Sequence, residues 1–164
     1  LSAETAMGQF PVETVTAMAD TAREVEQEPS VKQSGYRLDR AFTGIQETIS
    51  MATVYAANQL EGVVATISLT ETGSSSLLQS RLSSGKPMYG ISRHVATCRR
   101  MALYRGVVPI HADLTNEQDP QAAAMALIGS KGWLKPGDKV IVTCGDLCGR
   151  SGQTNTMKIL EFTG

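Results

Sequence analysis

Five of the seven residues from Thr70 to Ser76 carry hydroxyls: Thr70, Thr72, Ser74, Ser75 and Ser76, arranged around Glu71 and Gly73. They stand between an apolar, β-branched run and a segment with helical spacing. Hydroxyls and uncapped N–H groups at a helix start are donors for an anion, which the helix dipole also favours. A single N-cap needs only one such residue. The surplus therefore points to a bound phosphate on Thr70, Glu71, Thr72, Gly73, Ser74 and Ser75. The pattern GxxxxGK[ST] is missing, so this is not a nucleotide-hydrolysing P-loop. The loop has no cation of its own, and Glu71 is expected to repel a second anion.

A second candidate runs from Gly145 to Gly152, where Arg150, Ser151 and Gly152 could meet a phosphate. Read by itself it is a hairpin connection whose Gly residues serve the turn. Taken together, the two loops point to a phosphate-bearing small molecule. Ser92-Arg93-His94 also projects from a strand end. His94 and His111 have no Ser or Cys nucleophile at a recognisable elbow, so a catalytic triad is not expected. Arg99, Arg100 and Arg105 read as the solvated face and end of a helix, and Trp133 as a core or interface anchor.

These loops need elements to hold them. Pro11 suits a first helical turn, with Glu13 behind it, and Val12, Val15, Met18, Ala19 and Ala22 form a stripe ending near Glu26. From Glu28 to Tyr36 the pattern dissolves, giving a linker over 28–42. A helix is expected over 43–60, with Thr43 as its N-cap and Gly62 in the left-handed position after its end. Strand and helix then alternate: strand 63–69, helix 74–83, strand 87–92, helix 95–104, strand 106–111. Asp119-Pro120 announces a helix by N-cap and Pro at the first turn. Strand 139–143 follows, and the last strand, 154–162, begins too soon for a helical crossover and must return antiparallel. The fold class is α/β in three layers: a mostly parallel five-stranded sheet with one antiparallel strand and helices on both faces.

The 164 residues suit one domain of ordinary size, and a net charge of −1 argues against a nucleic-acid or anionic-membrane surface. No apolar run reaches the ~18 residues a bilayer span requires. The odd count of three Cys points to free thiols in a reducing compartment, with the cytosol as default. Cys144 and Cys148 have no second pair, so no metal site is expected. The chain opens on Leu1 without an initiator Met, as though entered in mid-fold. The helix after Pro11 reads as the last helix of a domain lying upstream.

The stretch Leu1-Ser2-Ala3-Glu4-Thr5-Ala6-Met7-Gly8-Gln9-Phe10-Pro11-Val12-Glu13 resembles the pyruvate kinase segment that closes its (β/α)8 barrel, with Ala3 where that family usually has Gly. Thr70-Glu71-Thr72-Gly73 resembles the family's effector phosphate loop, and Ile91-Ser92-Arg93-His94 the strand end after it. Leu103-Tyr104-Arg105-Gly106-Val107-Val108-Pro109 and Thr154-Asn155-Thr156-Met157 extend the likeness over essentially the whole chain. The resemblance implies the barrel's end over 1–27 and the carboxy-terminal effector domain over 43–164. It implies an intact enzyme converting phosphoenolpyruvate and ADP to pyruvate and ATP with Mg²⁺ and K⁺, while this chain carries no cofactor and is inactive alone. Ser2 and Glu4 would lie near that enzyme's active site. The partners implied are a phosphorylated effector, the upstream barrel and further copies in a tetramer, with no nucleic acid or membrane. Thr70, Thr72 and Ser75 match phosphate-contacting positions. Glu71 sits where some fructose-bisphosphate-responsive relatives carry Lys, and the later loop keeps only Arg150 of their Trp-Arg pairing. Both departures favour a bacterial-type monophosphate effector such as AMP, ribose 5-phosphate or glucose 6-phosphate. The competing expectation is an effector-free assembly module in which the hydroxyls only cap a helix. A third, an independent phosphatase-like or transferase enzyme, lacks a nucleophile and base.

Overall fold

The computed structural model describes residues 2–28, 41–82, 84–145 and 154–164. The chain divides into two compact units, Leu1–Ser34 and Gly35–Gly164.

In the first unit, α1 (Ala3–Ala6) is a single turn and α2 (Pro11–Gln27) carries Pro at its start as expected. Glu4 sets the turn between them, its Oε1 accepting from Gln9 N at 3.1 Å and Phe10 N at 3.2 Å. Gly8 packs against Glu4 so closely that a Cβ would overlap it. The stripe on α2 buries nothing: Val12 is 72% exposed, Val15 50% and Met18 47%.

The second unit contains α3 (Ile45–Gln59), β1 (Val63–Leu69), α4 (Ser74–Leu82), β2 (Met88–Ser92), α5 (Val95–Met101), β3 (Val107–His111), α6 (Pro120–Ser130), β4 (Lys139–Gly145) and β5 (Thr154–Glu161). The strand order is β3-β2-β1-β4-β5. β1 pairs parallel with β2 (Ile67↔Tyr89) and with β4 (Ile67↔Val142), while β5 returns antiparallel on β4 (Thr143↔Met157). The short β4–β5 connection dictates that reversal.

The two sheet faces differ in chemistry. Ala65, Ile67, Tyr89, Ile91, Val140 and Val142 pack under Ala124 and Ile128 of α6 as the main apolar core. Each such Ile or Val contributes roughly 1.5–3 kcal/mol by leaving water. The opposite face is smaller and more polar. Ser50 and Thr53 of α3, Ser75, Ser76 and Gln79 of α4, and Thr66, Ser68 and Thr143 of the strands are all fully buried. Gln79 Nε2 donates to Thr143 Oγ1 at 3.0 Å and so ties α4 to β4. Met88, Met101 and Val107 complete this side beneath α5. The chain runs outward through β1, β2 and β3 and then back to β4. Right-handed crossovers therefore put α4 and α5 on one face and α6 on the other.

Two boundaries differ from expectation. α3 is capped by Gly44, which makes no side-chain bond, and Thr43 lies outside the cap. Glu47 folds back over Gly44, its Oε2 lying 3.9 Å from where a Cβ would stand. α5 ends at Met101 rather than 104, because Leu103 N and Tyr104 N reach back only to Arg100 O and Met101 O. Gly62, at φ +84°, takes the left-handed position expected after α3.

Candidate functional site

Strand order fixes where the site can be. β1 has β2 on one side and β4 on the other, so the carboxyl ends of β1 and β4 bracket the point where the order reverses. The loop after β1 is the hydroxyl-rich segment. The segment after β4, with Arg150, Ser151 and Gly152, lies outside the described residues.

Thr70 N donates to Ile91 O at 3.0 Å and keeps the loop's first residue on the sheet. Thr70 Oγ1 then accepts from Gly73 N at 2.9 Å, closing a tight turn. Gly73 has φ +80°, and a Cβ there would sit 3.1 Å from Met101 Cγ, so both backbone and space call for glycine. Thr72 Oγ1 accepts from Ser74 N at 3.4 Å, and the helix ladder begins with Leu77 N donating to Gly73 O at 2.9 Å. The N–H groups of Ser74, Ser75 and Ser76 precede that ladder.

The hydroxyls divide by direction. Thr72 is exposed and Ser74 half-buried. Ser75 is fully buried, its Oγ 2.8 Å from Ser68 Oγ, and Ser76 Oγ is buried with no partner among the described residues. Ser68, beneath it on β1, holds the Ser75 hydroxyl inward, which leaves its backbone N–H as the group at the helix start. Thr70 and Thr72 serve partly as turn closures.

Glu71 also differs from expectation. Its Oε2 takes Arg93 Nε at 3.0 Å and His94 Nε2 at 2.7 Å, and its side chain is only 16% exposed. Thr97 Oγ1 donates to Glu71 O at 2.8 Å. The carboxylate is thus clamped between the ends of β1 and β2, its charge offset by Arg93, so the predicted repulsion of a second anion does not come from this residue. Beside it, His111 Nε2 lies 3.0 Å from Arg93 O. The Thr115 hydroxyl, followed by the Thr115 N–H, holds the Asp113 carboxyl below its ordinary value, with Arg93 and His94 adding to the effect. No Ser or Cys hydrogen bond to either His ring is present among the described residues.

Next to the loop lies an open cleft of about 820 Å³, lined by residues 43–47, Ser74, Leu78, Thr154 and Asn155. It joins the start of α3 to the start of α4 and the first residues of β5. Residues 43–47 were not recognised as site residues from sequence, because nothing local to a helix start says which loop it will face. Glu47 has no hydrogen-bond or ion-pair partner among the described residues, while Asn155 is engaged.

Of the remaining sequence candidates, Glu4 spends its carboxylate on Gln9 N and Phe10 N, and Ser2 O accepts from Thr5 Oγ1 at 3.0 Å. Trp133 stacks on Tyr89 at 5.0 Å with Lys131 over its ring, as an anchor should. Cys98 is a free thiol, Cys144 Sγ accepts from Gln121 Nε2 at 2.9 Å, Cys148 lies outside the described residues, and no group of three metal-ligating side chains forms among those described. No helix among them is long and apolar enough to cross a membrane.

These features define a doubly wound α/β domain with its polar loop at the switch point. The family model described as pyruvate kinase, alpha/beta domain, matches residues 47–160. Pyruvate kinase II of Salmonella typhimurium is 48% identical over 161 residues, which is 98% of this chain and 34% of that protein. Pyruvate kinase of Buchnera aphidicola subsp. Schizaphis graminum is 45% identical over 99% of the chain and 34% of its own length. Pyruvate kinase of Haemophilus influenzae is 44% identical over 98% of the chain and 33% of its own length. The chain belongs to the pyruvate kinase family as its carboxy-terminal α/β domain, and it spans about a third of the length of these relatives.

Proposed function

We propose that this chain is the effector-binding and assembly part of a cytoplasmic pyruvate kinase, and that it takes a monophosphate such as AMP, ribose 5-phosphate or glucose 6-phosphate. In the intact enzyme an upstream barrel would carry phosphoryl transfer from phosphoenolpyruvate to ADP, using Mg²⁺ and K⁺ held by the barrel's own residues. The chain alone is inactive, and four copies of the whole protein assemble. The observation that carries the reading is the position of Thr72 and Ser74, outward-facing at the start of α4, on the switch point and beside an open cleft. Helix-start N–H groups and hydroxyls suit a phosphate there.

The hydroxyl accounting favours one competitor. Thr70 and Thr72 close the turn and Ser75 faces Ser68, which is what an effector-free assembly module would need. Thermal unfolding against a panel of AMP, ribose 5-phosphate, glucose 6-phosphate and fructose 1,6-bisphosphate separates the two. A ligand that binds only the folded chain stabilises it by about 2.7 kcal/mol at a hundredfold excess over its Kd. The expected outcome is a saturable rise of Tm with one monophosphate, reduced in Thr72→Ala. A flat panel would leave assembly as the function.

A further inference from the structure

We infer that Glu47 reads the sugar of the ligand. The site accepts a sugar monophosphate presenting adjacent free hydroxyls, which donate to the Glu47 carboxylate while the phosphate rests at the start of α4. The inference rests on the phosphate-site reading above and goes beyond it by naming the group that selects the ligand.

Three observations on the cleft carry it. Ser74 belongs to both the phosphate loop and the cleft wall, so a ligand anchored there by its phosphate extends its remaining atoms into the cleft. Glu47 and Gly44 both line that wall, and the Glu47 carboxylate lies back over Gly44, Oε2 being 3.9 Å from the position of a Cβ on it. Glu47 makes no ion pair or hydrogen bond among the described residues, unlike Glu71, whose charge is offset by Arg93.

An ionised carboxylate only accepts, through two oxygens side by side, which matches two neighbouring hydroxyl donors. It also disfavours a second phosphate in the cleft. Glu47 thereby adds to the preference for a monophosphate that the sequence assigned to Glu71 and to the later loop, which keeps only Arg150.

The test is calorimetric titration of the 164-residue chain with inorganic phosphate, ribose 5-phosphate and 2-deoxyribose 5-phosphate. Inorganic phosphate probes the loop alone, and the two pentose phosphates differ by one hydroxyl. Wild type is expected to prefer ribose 5-phosphate by about tenfold or more, the weight of a hydrogen bond to a charged group. In Glu47→Ala the two pentose phosphates bind alike, at the level of inorganic phosphate, whose own affinity is retained. Glu47→Gln keeps the shape without the charge and falls between. Glu47 is exposed, so neither variant threatens the fold. If Glu47→Ala keeps the wild-type preference while Thr72→Ala weakens all three ligands, the inference fails and the phosphate site stands. If none of the three binds wild type, both fail.

Discussion

Asp119 closes the amino end of α6 with a single oxygen, accepting from Gln121 N at 3.1 Å and Ala122 N at 3.0 Å. The Ala122 N–H, and after it the nearby Lys158 cation, hold its carboxyl below the ordinary value. A carboxyl whose folded value is depressed contributes stability above its unfolded pKa and loses it as pH falls through the folded one. Asp119→Ala is therefore expected to lower Tm at pH 7, and the gap from wild type should narrow as pH falls below the unfolded Asp value of about 3.9 and close once pH passes under the depressed folded one. Asp119→Asn keeps a good N-cap and should retain most of the Tm at pH 7 while losing the acid dependence. Melting curves at pH 7 and below the folded value check this, and a gap that persists in acid would contradict it. This cap was legible in the sequence because Asp119, Pro120 and the N–H groups they serve are neighbours in the chain. Ser75 was not, because the direction of its hydroxyl is decided by Ser68, on the strand beneath it. The charge of Glu71 was misjudged for the same reason: its partners Arg93 and His94 come from the end of another strand.

Among the elements, β1, β2 and β4 were readable as buried strands from their apolar runs, and the reversal of β5 from the shortness of its connection. The contrast between the two sheet faces was not readable, since Thr66, Ser68 and Thr143 look like ordinary strand residues until α3 and α4 cover them. That polar face depends on close approach at one point. Gly90 of β2 lies where a Cβ would be 2.7 Å from Met101 Sδ and 3.1 Å from Ser76 Oγ, and both neighbours are fully buried. Gly90→Ala should force β2 away from α4 and α5, costing about 1–3 kcal/mol as overpacking in a closed interior does. Urea unfolding would show it as a lower midpoint at unchanged slope. An unchanged midpoint would mean that Met101 repacks freely, and that this face is looser than its burial suggests.

At the scale of the whole chain, the sequence left the strand order open, because alternating strands and helices fit several orders with right-handed crossovers. The observed order puts β1 in the centre and turns a capped helix start into a switch-point loop. The sheet unit, Gly35–Gly164, has its own closed interior: α6 covers the apolar face, and α3, α4 and α5 the other. In the other unit, α2 buries none of its residues, and Val12, Val15, Met18 and Val25 are 72%, 50%, 47% and 53% exposed. Apolar area left in water contributes nothing to folding stability. Deleting residues 1–34 should therefore leave the urea midpoint of the sheet unit, and its response to ribose 5-phosphate, as they are in the full chain. Equilibrium unfolding of both chains, followed by Trp133 fluorescence, reads the sheet unit directly, because Trp133 stacks on Tyr89 of β2. A lower midpoint after deletion would show that the α2 stripe is part of the same cooperative unit.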